Sequence, residues 1–209
     1  MKYDWKQVAF LYTTFKELGM PITDEVDNIF LTRQIGAKRP DFCGTNKETV
    51  ARMIHLADIK PTDTILEPSC GNGNIVIPLC QSFPNNKVFY CEINTGLENE
   101  MWDKVADKSN GGFHATKVAN DFLSYNASDK FDKIIMNPPY GHFAYAQHVP
   151  HAYSMLAPGG IMVALIPSVA FAIENDFRKW IAEHYCYSEQ LPFDCGYGAD
   201  ISLFVFDKN

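Results

Sequence analysis

Thr64-Ile65-Leu66-Glu67-Pro68-Ser69-Cys70-Gly71-Asn72-Gly73-Asn74 starts as a short apolar run, breaks at a proline and passes through two glycines into the apolar segment 75–81. The pattern reads as strand, loop, helix. Gly71 and Gly73 let the backbone turn tightly and approach a ligand, because a residue without Cβ reaches positive φ freely. The loop is a poor dinucleotide site. Its third glycine is missing, and Glu67 would set like charge against a pyrophosphate, so a cationic or zwitterionic ligand is expected.

Short strands and helices alternate on both sides of this unit. Strands are predicted at 64–66, 87–91, 114–118, 131–136, 161–166, 185–187 and 202–206. Helices are predicted at 75–81, 97–105, 144–156 and 171–183, the third stopped by Pro158-Gly159-Gly160. Such alternation implies a mostly parallel sheet with helices on both faces. Ligands then bind beyond the carboxyl ends of the strands, where the strand order reverses. Upstream, helical spacing predicts helices at 5–18 and 23–35. Thr45-Asn46-Lys47-Glu48 reads as a capping box, with Thr45 at the N-cap of a helix running to about Asp58. The organisation expected is an N-terminal helical extension, 1–40, and an α/β domain, 41–209.

Three more features fall at predicted strand ends. Glu92 follows the glycine loop by about twenty residues, a spacing that suits hydrogen bonds to ribose hydroxyls. Asp121-Phe122 offers an acceptor for an adenine amino group beside an aromatic wall. Asn137-Pro138-Pro139-Tyr140 ends the strongest strand with a stiff loop: the prolines fix φ and carry no N–H. The Asn137 side-chain oxygen and the Pro138 carbonyl can each accept one hydrogen of a planar amino group, and Tyr140 can stack on a base.

Composition narrows the class. The chain has 209 residues, 46% of them hydrophobic, enough for one α/β domain with a sizeable core. Its start has no apolar leader and no apolar stretch is long enough to span a bilayer, so a soluble, cytoplasmic protein without membrane contact is expected. The six cysteines form no C-x-x-C pair and read as reduced thiols. His148 and His151 stand three apart with no third ligand in suitable spacing, so no metal is expected. Net charge is −7, against a broad non-specific nucleic-acid footprint. The imbalance lies in residues 61–209, with nine Lys/Arg against seventeen Asp/Glu. Phosphate contacts are therefore sought nearer the N-terminus, at Arg33, Lys38, Arg39, Lys47 and Arg52.

From about residue 40 to 206 the chain resembles the class I S-adenosylmethionine-dependent methyltransferases. Within them it is similar to the amino-methyltransferases with a D/N-P-P-Y/F/W tetrapeptide, best known as adenine-N6 DNA methyltransferases. The residues that carry this are 67–73, Asp121-Phe122 and Asn137-Pro138-Pro139-Tyr140, in that order and spacing. Phe42-Cys43-Gly44-Thr45 resembles the F-x-T-P element that borders the methionine part of the cofactor, with Asn46 in place of the usual proline.

The resemblance implies a Rossmann-like, mostly parallel seven-stranded sheet and S-adenosyl-L-methionine as cofactor. It implies that Phe42, Thr45, Glu67, Pro68, Gly71 and Gly73 hold the amino-acid end of the cofactor, Glu92 its ribose, and Asp121 and Phe122 its adenine, with Asn137 at the boundary. Asn137 and Pro138 would grip the target amino group, on a loop stiffened by Pro139, with Tyr140 under the flipped base. The reaction implied is direct in-line methyl transfer, without a covalent enzyme intermediate or a metal. DNA is the leading partner. Sequence-specific relatives usually carry a target-recognition region, which in this order would follow the last strand; here readout is expected instead from the N-terminal helices, the loop 192–200 or a partner, a recognition subunit or a second copy of the chain, or is expected to be minimal. RNA adenine and a protein glutamine amide are alternative acceptors. A silent methyltransferase-like binding subunit would show degraded cofactor loops, whereas Gly71, Gly73, Glu92 and Asp121 are all present.

Overall fold

The structure is a computed structural model that describes residues 44–106, 112–128, 130–171, 176–191 and 201–208. Phe42, the predicted helices at 5–18 and 23–35, the loop 192–200, Arg33, Lys38 and Arg39 lie outside the described residues.

The described elements are α1 (Lys47–Ala57), β1 (Thr64–Glu67), α2 (Val76–Ser82), β2 (Lys87–Cys91), α3 (Thr95–Ala106) and β3 (Thr116–Ala119), then β4 (Phe131–Met136), α4 (Tyr145–Ser154), β5 (Leu156–Pro167), α5 (Asp176–His184), β6 (Tyr185–Gln190) and β7 (Ile201–Asp207). The seven strands form one sheet in the order β3-β2-β1-β4-β5-β7-β6. From β3 to β5 every pairing is parallel, and β7 runs antiparallel to both of its neighbours. This is the Rossmann-like architecture expected. The chain steps outward from β1 to β3 and then crosses to β4 on the other side of β1, so the reversal in strand order falls between β1 and β4.

Alternation along the strands builds two core layers. Ile65, Ile135, Val163, Leu203 and Val205 face α1, α2 and α3, while Leu66, Ile134, Met136, Met162, Phe204 and Phe206 face α4 and α5. Neighbouring residues on a strand therefore feed opposite layers, which is why the central strands read as unbroken apolar runs.

Three expectations are corrected. The N-cap of α1 is Asn46, whose side chain accepts from the Thr49 N–H at 2.8 Å; the cap sits one residue later than the capping-box pattern put it, which releases Thr45 for other contacts. The predicted helix 144–156 closes at Ser154, and Leu156 already pairs with Phe131. Pro158-Gly159-Gly160 lies inside β5, in a bulge where five residues of β5 match two of β4 before Ile161 meets Lys133. Burial explains the choice, since Leu156 is fully enclosed in the sheet layer and would gain nothing from another helical turn. The third strand begins at Thr116 instead of residue 114, and His114 bridges the carbonyls of Gly112 and Asn86. Arg52, one of the places where phosphate contacts were sought, is engaged within the fold: its guanidinium holds the Glu189 carboxylate with two bonds of 2.7 and 2.9 Å, tying α1 to β6.

Candidate active site

Four loops leave the carboxyl ends of β1, β2, β3 and β4 and meet around one cleft of about 350 Å³. The first contributes Glu67, Pro68 and Gly71, the second Glu92, the third Asp121 and Phe122, and the fourth all of Asn137, Pro138, Pro139 and Tyr140. Thr45, entering from the start of α1, lines the same cleft. Gly73 does not line it. A Cβ on Gly73 would lie 2.6 Å from Met101 Cγ and 2.8 Å from Ile77 Cδ1, and its φ is +85°. That glycine serves the close approach of α2 and α3 to the sheet.

Glu67 and Glu92 are both buried. Glu92 is held by backbone donors: the Gly71 N–H gives to Oε2 at 2.6 Å and the Asn94 N–H to Oε1 at 2.7 Å. Oε2 of Glu67 has no partner among the described residues. Burial, and then the charge of Glu92, push the Glu67 carboxyl well above the usual carboxylate range, against a weaker pull from the Val76 N–H. Burial and like charge together oppose the ionisation of Glu67. A cationic group brought beside it would reverse that balance.

The glycine loop is fastened from behind. Lys104, on α3, donates to the Asn72 carbonyl at 2.8 Å and to Asn74 Oδ1 at 2.9 Å. Asn74 Nδ2 donates in turn to the Thr45 carbonyl at 3.2 Å. At the far end of the cleft, Asn137 Nδ2 donates to Thr45 Oγ1 at 3.1 Å, and the Tyr140 hydroxyl donates to Asn137 Oδ1 at 2.7 Å. The Tyr140 ring packs edge-on against Tyr145, with centroids 6.4 Å apart.

Asp121 caps the turn 122–124 by accepting from the Leu123 N–H at 3.0 Å. His151 pins the same turn through Nε2, shared between the carbonyls of Phe122 and Tyr125 at 3.1 and 2.9 Å. His148 bonds the Ala144 carbonyl through Nδ1 at 2.9 Å and lines the cleft; burial pushes its pKa down. Sequence reasoning treated this pair only as metal candidates and missed His148 as a cleft residue. The signal was its position one helical turn from His151, on the α4 face that turns toward β3. Ile93 and Asn94 were missed as well. Ile93 is 70% exposed and lines the cleft beside Glu92.

A sheet with this order and a cleft at this reversal defines the Rossmann-like fold of the class I S-adenosylmethionine-dependent methyltransferases. A structure from Listeria monocytogenes described as such an enzyme superposes with a TM-score of 0.66 at 15% identity, over 99% of this chain and 69% of that one. An RNA methyltransferase from Salinibacter ruber, in complex with S-adenosyl-L-homocysteine, gives 0.58 at 17% identity, over 79% of this chain and 93% of that one. Residues 48–174 match the methyltransferase small domain family, and the chain belongs to it.

Curated relatives are similar over shorter stretches. The type II methyltransferase M.CvrRI of Paramecium bursaria Chlorella virus XZ-6E is 32% identical over 85 residues, 41% of this chain and 20% of that protein. The tRNA1(Val) (adenine(37)-N6)-methyltransferase of Bacteroides thetaiotaomicron is 33% identical over 85 residues, 40% of this chain and 35% of that protein. The chain thus matches between a fifth and about a third of the length of these two relatives.

Proposed function

We propose that the protein transfers a methyl group to the exocyclic N6 amino group of adenine in a nucleic acid, with DNA the leading substrate. The observation that carries this reading is the Asn137-Pro138-Pro139-Tyr140 loop, which leaves β4 at the reversal of strand order and lines the same cleft as Glu67 and Glu92.

The residues present fit the cofactor. The unpaired oxygen of buried Glu67 suits the cationic amino group of a zwitterion, Glu92 suits ribose hydroxyls, and Asp121 with Phe122 suits an adenine ring. When bound, the cofactor supplies an electrophilic methyl group on a positively charged sulfur. The chain's own part is to present the nucleophile. The Asn137 side-chain oxygen and the Pro138 carbonyl would each accept one amino hydrogen. Two acceptors in fixed positions draw the nitrogen lone pair out of the ring and aim it across the cleft. The gain is chiefly orientation, worth about 7–11 kcal/mol when geometry is well set. An adenine in a duplex must first leave the stack. Tyr140 would then rest against its face.

RNA adenine is a second reading, favoured by the likeness to the tRNA adenine-N6 enzyme. Two experiments separate the options. S-adenosylmethionine or its demethylated product should raise the melting temperature, as ligand binding to the folded state requires. Labelled methyl donor should then be offered with DNA, RNA and protein in separate reactions; incorporation into DNA is expected, and label confined to RNA or protein would displace the leading substrate.

A further inference from the structure

We propose that His148 is a cofactor-binding residue whose Nε2 accepts a hydrogen bond from the adenine amino group of the cofactor, alongside the carboxylate of Asp121. The inference rests on reading the cleft as an S-adenosylmethionine site and adds what its adenine end selects for.

The contacts of the His148 ring decide what each nitrogen can do. Nδ1 lies 2.9 Å from the Ala144 carbonyl at the start of α4. A carbonyl can only accept, so Nδ1 carries a proton. In a neutral imidazole the other nitrogen is then a bare acceptor. The environment favours the neutral ring: burial pushes its pKa down, against weaker pulls from the Ala144 carbonyl and the charge of Asp121, and the nearness of His151 adds to the fall. Nε2 makes no hydrogen bond among the described residues, and His148 lines the cleft.

Placement says what this acceptor would meet. α4 brings two histidines to the turn after β3, and they do different work. His151 fixes the turn, through the carbonyls of Phe122 and Tyr125 and by an edge-on contact with the Phe122 ring, centroids 4.8 Å apart. His148, one helical turn earlier, lies tilted at 38° to the same ring with centroids 5.8 Å apart. It is thereby kept beside the loop that carries Asp121, and His148, Asp121 and Phe122 line the cleft together. An adenine amino group has two hydrogens, and a carboxylate with a bare imidazole nitrogen can take both. A purine with a carbonyl at that position would set oxygen against two acceptors, with no donor to satisfy it. The pair therefore selects an amino-purine over a keto-purine.

The test measures affinity by calorimetry at about pH 7.5, where a histidine of lowered pKa is neutral. Two ligands are compared: S-adenosylhomocysteine, and S-inosylhomocysteine, which has a carbonyl in place of the adenine amino group. His148→Phe keeps a flat ring and removes the acceptor. It should bind S-adenosylhomocysteine about fivefold more weakly, the scale of one hydrogen bond, and change affinity for S-inosylhomocysteine by less than about twofold. His148→Gln offers an amide oxygen in place of Nε2 and should stay within about threefold of the parent for S-adenosylhomocysteine. A readout free of affinity is the nitrogen NMR spectrum of the His148 ring, assigned by its loss in His148→Gln. The free protein should show a protonated Nδ1 and a bare Nε2. S-adenosylhomocysteine should move the Nε2 resonance in the direction of an accepted hydrogen bond, and DNA added alone should leave it in place.

A proton on Nε2 in the free protein, or a resonance that S-adenosylhomocysteine does not move, overturns the proposal. So does a His148→Phe variant that weakens both ligands alike, which would make the ring a plain wall of the cleft. Movement by DNA alone would assign Nε2 to the target base and count equally against it. If His148→Phe does not fold, the resonance in the parent decides. Failure of the cofactor reading looks different: the parent itself binds neither ligand, and the proposal falls with it.

Discussion

Glu67 carries a carboxyl into a place where ionisation is opposed by burial and by Glu92. Above about pH 4.3 the unfolded chain releases this proton while the folded protein keeps it, so the native state binds more protons and stability falls as pH rises. The cost accumulates up to the raised folded pKa and is constant beyond it. Glu67→Gln removes the ionisation. Without cofactor, this variant should melt above the parent at pH 8, the difference shrinking toward pH 4, and should bind S-adenosylhomocysteine more weakly. A parental melting curve at both pH values would show that Glu67 is charged in the fold. Asn137→Ala removes the acceptor proposed for the reacting nitrogen, and kcat should drop by about 10²–10³, the scale for losing one preorganised polar group. Affinity for S-adenosylhomocysteine should change by less than threefold, as read by calorimetry. Most cleft residues were legible in the sequence because each follows an apolar strand. The protonation of Glu67 was not, since it needs the enclosure that only packing supplies.

The segment between β1 and α2 does two jobs with two glycines. Gly71 lines the cleft and donates to Glu92, while Gly73 turns its missing side chain toward Met101 and Ile77. Gly73→Ala would combine an unfavourable positive φ with overpacking, and should cost about 2–4 kcal/mol in urea unfolding. A variant as stable as the parent would place the close contact elsewhere. Both glycines look alike in the sequence, and their division of labour depends on where α3 lies. The same holds for the Thr45-Asn46 pair. Either residue can cap a helix, and the choice of Asn46 follows from the use of Thr45 at Asn137. At β5 the sequence signal was stronger and still misleading: Pro-Gly-Gly breaks a helix, yet it also fits a bulge inside a long strand, and pairing with β4 and β7 decides for the bulge.

Across the whole molecule, sheet order places the chemistry. The crossing from β3 to β4 brings residues as distant in sequence as Thr45 and Asn137 to bonding distance on one rim of the sheet. Alternating strands and helices made the fold legible in advance, and strand ends made the cleft legible. What would recognise a nucleic acid was not legible, because charge along the chain does not say which surface it shares in space. Arg52 illustrates the point: it belongs to a basic stretch in sequence and to Glu189 in the fold. Among the described residues no helix is long and apolar enough to cross a membrane, and no group of three or more side chains is suited to a metal.

The claim on which the account turns is that methyl lands on an amino nitrogen gripped by Asn137 and Pro138. It is tested most directly by locating the label in nucleosides digested from DNA after reaction with labelled S-adenosylmethionine. The account predicts N6-methyladenine as the labelled product, lost in Asn137→Ala. Label on a ring carbon, or N6-methyladenine formed undiminished by Asn137→Ala, would contradict it.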